Sequence, residues 1–128
     1  MSPDVGWALQ KALYQHLDGA LSVPVYGVVP SDAAYPYVEI GDENGDDLST
    51  HTETATDRVL MLHVWSSQPS KSEVYQILGE LKAAVHRQRL SLDSGRLWDL
   101  QYRSHQITRD LDGKTFTGRM TVRARTQE

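Results

Sequence analysis

Apolar and polar positions alternate along this chain in two distinct rhythms. Val5, Leu9, Leu13 and Leu17, with Ala12 and Ala20 beside them, recur at helical spacing. Ser2, Pro3 and Asp4 precede them as a hydroxyl cap, a first-turn proline and an acid at the positive dipole end, and Gly19 reads as a stop. A first helix is therefore predicted over about 3–19. Val23 to Val29 is apolar and β-branched between Pro24 and Pro30, which predicts a short strand near a sheet edge. After a turn at 31–34, Tyr35 to Gly41 alternates Val38 and Ile40 against Tyr37 and Glu39, a second strand.

Val59 to Trp65 is the clearest central strand. Leu60, Leu62 and Val64 line one face and Val59, Met61, His63 and Trp65 the other, so both faces are expected to be covered, one by a helix and one by a partner. Ser70 and Glu73 fit a capping box opening a second helix, whose stripe is Val74, Ile77, Leu78, Leu81 and Val85. Two strands follow. Leu97 to Thr108 alternates Trp98, Leu100 and Tyr102 against Asp99, Gln101, Arg103 and His105; Phe116 to Arg125 alternates Phe116, Met120, Val122 and Ala124 against Thr117, Arg119, Thr121, Arg123 and Arg125. The Asp112-Gly113 step between them is a hairpin signal. The fold class expected is α+β, a mainly antiparallel sheet of about five strands with two helices packed on one face. Its 128 residues make one domain, 1–128.

Residues 42–57 break the rhythm. They hold six acids (Asp42, Glu43, Asp46, Asp47, Glu53, Asp57), no Lys or Arg, and almost nothing apolar. Such a stretch predicts a long acidic loop or hairpin arm, with the threonines of 50–56 suited to strand geometry. From Arg87 to Arg125 the balance reverses, with nine bases against four acids. Those on the last two strands, Arg103, Arg119, Arg123 and Arg125, fall mostly on the polar face of the hairpin. One reading is a solvated loop and a solvated sheet face. The sharper one is head-to-tail self-association, the acidic arm of one copy docking on the arginine face of the next, a heterologous contact able to close into a ring.

Composition narrows the chemistry. Cysteine is absent, which removes disulfides, thiolate nucleophiles and Cys-containing zinc sites. No run approaches the ~20 apolar residues of a membrane span, and the N-terminus lacks a secretory pattern, so no membrane partner is expected and the chain should stay where it is made unless a larger assembly carries it out. The five histidines are scattered, with His63 expected in the core or an interface; no nucleophile elbow, phosphate loop or dinucleotide fingerprint occurs. No catalytic residue, cofactor or metal is assigned. Counting Asp42 as the first position of a calcium loop puts Asn44, Asp46 and Glu53 at ligand positions, but Asp47 stands where glycine is needed. A basic platform for nucleic acid fails because Tyr102 and Phe116 fall opposite the arginines.

Taken in order, several segments resemble the tail-completion (tail-terminator, head–tail joining) proteins of long-tailed phages, prophages and gene transfer agents. These are the opening helix Ala8 to Tyr14, Val29-Pro30 followed by Tyr35 to Glu43, the strand Leu60 to Ser66, and Arg109 to Gly118 leading into an arginine-rich strand. The resemblance runs from about 5 to 125. It implies a non-enzymatic virion protein, assembled in the bacterial host, that caps the finished tail tube as a six-fold ring of its own copies. It further implies joining to the head–tail connector, with DNA passing unspecifically through a central channel. The acidic arm would then dock on a neighbour or line that channel. The alternative from another class is a small ligand- or metal-binding α+β module using 42–57.

Overall fold

A computed structural model describes residues 4–111 and 115–128. The first helix, α1 (Val5–Ala20), begins where the Asp4 carboxylate accepts the Gly6 N–H at 3.0 Å, relieving one of the unpaired donors of the first turn. Asp4 is the cap; Ser2 and Pro3 lie outside the described residues. Val5, Leu9, Leu13 and Leu17 are buried, as their spacing predicts. Gly19 does not stop the helix, which runs one residue further and closes with the Leu21 N–H on the Leu17 carbonyl.

Five strands follow: β1 (Val25–Tyr26), β2 (Tyr37–Asp47), β3 (Ala55–Trp65), β4 (Arg96–Arg109) and β5 (Phe116–Gln127), with α2 (Ser72–Val85) between β3 and β4. They form one sheet in the order β1-β2-β3-β5-β4, antiparallel except for β1 beside β2. The architecture is α+β. β1 is shorter than the 23–29 expected, and it lies at the sheet edge, where Pro24 needs no ladder donor and offers its carbonyl to the Val38 N–H.

Both helices cover one face. Val38, Ile40, Leu60, Leu62, Val64, Leu100, Met120 and Val122 point into them and form the core with Leu9, Leu13, Leu17, Val74, Ile77, Leu81 and Val85. α2 approaches β5 so closely at Gly118 that a Cβ there would lie 2.8 Å from Val74 Cγ1. The capping box does not form. Ser70 Oγ accepts the Ser72 N–H, whereas Glu73 turns back to accept the Ser66 hydroxyl at 2.6 Å, an unpredicted partner that pins the β3–α2 turn.

The other face carries no second layer among the described residues. Val59, Met61, His63 and Trp65 are half-buried by their neighbours in the sheet. The acidic segment is mostly strand: β2 continues through Asp47, β3 begins at Ala55, and only 48–54 turn between them. A bulge at Gly41–Asp42, opposite Met61, separates the two halves of β2. The Asp112-Gly113 turn lies outside the described residues; the strands it joins pair up to the Asp110 N–H on the Thr115 carbonyl.

Candidate assembly interface

The candidate charges divide between the two faces because strand residues alternate. On the helix-free face, Asp46 pairs in register with Asp57, Asp57 with Arg125, and Arg125 with Asp99. One step along lie Asn44, Val59, Arg123 and Gln101. One ion pair, Arg123–Asp57, runs diagonally between these rows, and the other, Arg125–Asp99, lies within the first. Arg123 grips Asp57 with two bonds, Nε at 2.8 Å and Nη2 at 2.6 Å, and Arg125 Nη2 reaches Asp99 Oδ2 at 2.5 Å. Two of the three arginines of β5 thus meet acids of their own chain. The Asp57 carboxyl titrates below its ordinary 3.8, chiefly through the Arg123 hydrogen bonds, with the charges of Arg123, Arg125 and Arg103 adding to them against the cost of burial. Asp57 raises Arg123 in return. Arg119 is exposed and bonds the Gln106 side chain at 2.8 Å.

The acids of the arm have different fates. Glu43 falls on the helix side, where Arg58 Nη1 meets its Oε2 at 3.0 Å. Asp42, Asp46, Asp47 and Glu53 are exposed. Asp47 accepts the Ser49 N–H, which shapes the turn, and hydrogen bonding from Ser49, first its side chain and then its N–H, lowers the Asp47 pKa. Asp42, Asn44, Asp46 and Glu53 stretch along a strand and into a turn, so they do not gather round a point. Among the described residues no group of three His, Asp or Glu is placed to hold a metal ion.

Sequence patterning missed Arg58, a buried guanidinium tucked under the α1 N-terminus. It also donates to Thr126 Oγ1 at 3.0 Å and reaches Glu128 at 3.5 Å. Its signal was its place one residue past the acidic run, in phase with Leu60 and Leu62. Asp99 was placed on the polar face but not paired with Arg125, because a bulge between Leu97 and Asp99 sets that register. A second bulge between Tyr102 and Ser104 swings His105 from the arginine side to the row of Met120, and leaves Arg103 unpaired and exposed. Tyr102 lies beneath Lys82, and Phe116 beneath Lys71 and Arg109, on the helix side as expected. His63 is half-buried and its ring stacks on Trp65.

A family model described as tail completion protein gp17 matches residues 8–127. The chain belongs to this family. As a tail completion protein it is a structural protein of a phage or phage-like particle, located in the virion tail. A chain of the solved structure titled "Virion of native gene transfer agent (GTA) particle" has the same fold. Its TM-score is 0.88 at 24% identity, with 99% of this chain and 100% of that chain covered. No curated protein matches the sequence. Among the described residues, no helix of this tail completion protein is long and apolar enough to cross a membrane.

Proposed function

We propose that this protein, acting as one domain without catalysis, caps the finished tail tube as a six-fold ring and joins it to the head–tail connector, leaving a channel for DNA. The match of the tail-completion family to residues 8–127 carries this reading. The fold supports it in two ways. The helix-free face offers Val59, Met61, His63 and Trp65 half-covered, a surface suited to a partner protein. The exposed acids Asp46, Asp47 and Glu53 lie toward the hairpin end and Asp42 at the mid-strand bulge, where they can meet a neighbour or repel DNA phosphates from a channel wall.

Particles made without this protein, viewed by negative-stain microscopy, should show tails unattached to heads. Purified protein added back should place a ring at one end of each tube and restore joining. Normal joined particles in its absence, or tubes that bind no protein, would refute the proposal.

A further inference from the structure

The outer strands of the sheet are each covered over one half and bare over the other. β1 covers β2 only at Val38 and Glu39, leaving 41–47 open. At the opposite edge, Arg87 donates to the Leu100 carbonyl and His86 Nδ1 accepts the Tyr102 N–H, so β4 is covered near 100–102 and open over 103–109. The open stretches are equal in length and opposite in charge. Residues 41–47 hold four acids and no base; 103–109 hold Arg103, His105 and Arg109 and no acid. Glu43 is engaged by Arg58, whereas Asp42, Asp46 and Asp47 are exposed, Asp47 while accepting the Ser49 N–H.

The backbone is set for pairing. The Leu48 N–H bonds the Ala55 carbonyl, and the Asp110 N–H the Thr115 carbonyl. The alternation this fixes in an antiparallel ladder turns the backbone of Glu43, Gly45 and Asp47 outward on one edge, and of His105, Ile107 and Arg109 on the other. β2 and β4 run in opposite directions through the intervening strands, so a second copy continuing the sheet would meet the first antiparallel. Bare edges of this length template pairing with another chain.

We infer that the acidic edge 41–47 of one copy pairs with the basic edge 103–109 of the next, making a continuous sheet between subunits. This rests on the ring reading and specifies its contact. With Asn44 opposite Gln106, Asp47 comes opposite Arg103, and Asp42 and Arg109 lie at the same end of the paired edges on opposite faces of the sheet. Like edges would set acid on acid or base on base, so the contact is head-to-tail. The two open halves are also offset. Asn44 is level with Val59, and Gln106 with His63, four residues further along β3. That stagger is about 13 Å across a four-strand repeat about 19 Å wide. It corresponds to a strand tilt of roughly 35°, at the lower end of the range of closed barrels, so the offset favours closure.

The test uses the chain's lack of cysteine. Asn44→Cys with Gln106→Cys places two thiols on the same sheet face at a site where facing backbones come closest. Oxidation, alone or on purified tail tubes, should give a covalent ladder ending at the ring, while either single variant stays monomeric on a non-reducing gel. Separately, Asp42→Lys/Asp47→Lys and Arg103→Glu/Arg109→Glu should each lose assembly by at least tenfold in concentration with unchanged circular dichroism. Mixed in equal amounts they should regain it, as alternating rings in native mass spectrometry. Rings seen by microscopy without the cross-link, or either charge variant assembling like the parent, overturn the edge pairing and leave the ring standing. If no ring forms on or off tubes, the ring reading fails and the pairing falls with it.

Discussion

Arg58 shows how much one side chain can bind together. Its guanidinium joins Glu43 on β2, Thr126 on β5 and Glu128, and lies so near α1 that a Cβ on Gly6 would come within 2.7 Å of it. Removing it would strand a largely buried carboxylate. Arg58→Ala should cost about 3 kcal/mol in urea unfolding, while Gly6→Leu should destabilise by displacing the same group. Asp57 offers a sharper reading, since its folded pKa is below the unfolded 3.8. Its contribution is full above that value and is lost as pH falls through the lower, folded one. Asp57→Asn should therefore lower stability at pH 7 and flatten the decline below about pH 4. Identical acid limbs in the two proteins would show that the Arg123 pairing contributes nothing. These residues also mark the limit of patterning. The charges of Asp57 and Arg123 are plain in sequence, yet their bond joins strands far apart in the chain.

Among the elements, legibility followed periodicity. The stripe from Val5 to Leu17, the alternation of 59–65 and the Val74 to Val85 stripe each became the predicted element, because burial on one face leaves a period that local sequence must carry. The acidic segment was harder. Its strand pairing comes from backbone hydrogen bonds to β3, and with both faces wet it left no apolar alternation to detect. The bulges in β4 were equally silent, so His105 was put on the wrong side. The packing of α2 on β5 yields a direct test. Gly118→Val would drive a branched side chain into Val74 and Leu78, and should cost about 1–3 kcal/mol. An unchanged melting temperature would mean that α2 can shift freely.

For the whole molecule, the segregated charge resolved differently from the expected docking of acidic arm on arginine face. Arg123 and Arg125 already pair with Asp57 and Asp99, which leaves Arg119 on the face and the exposed Asp42, Asp46, Asp47 and Arg103 along the sheet edges. Edge position is a property of strand order, which no window of sequence reveals. If assembly uses those edges, salt should weaken it: raising ionic strength from 0.05 to 0.5 M, which shortens the Debye length from roughly 14 to 4 Å, should raise the concentration needed for rings. Strand order has a further consequence for synthesis. β5 follows every other strand in the chain yet sits between β3 and β4. Until residues 116–127 clear the ribosome, β3 and β4 have no common partner and the core lacks Met120 and Val122. Closing so distant a pairing is slow, so the nascent chain stays open, and prone to capture by chaperones, until this interior strand arrives.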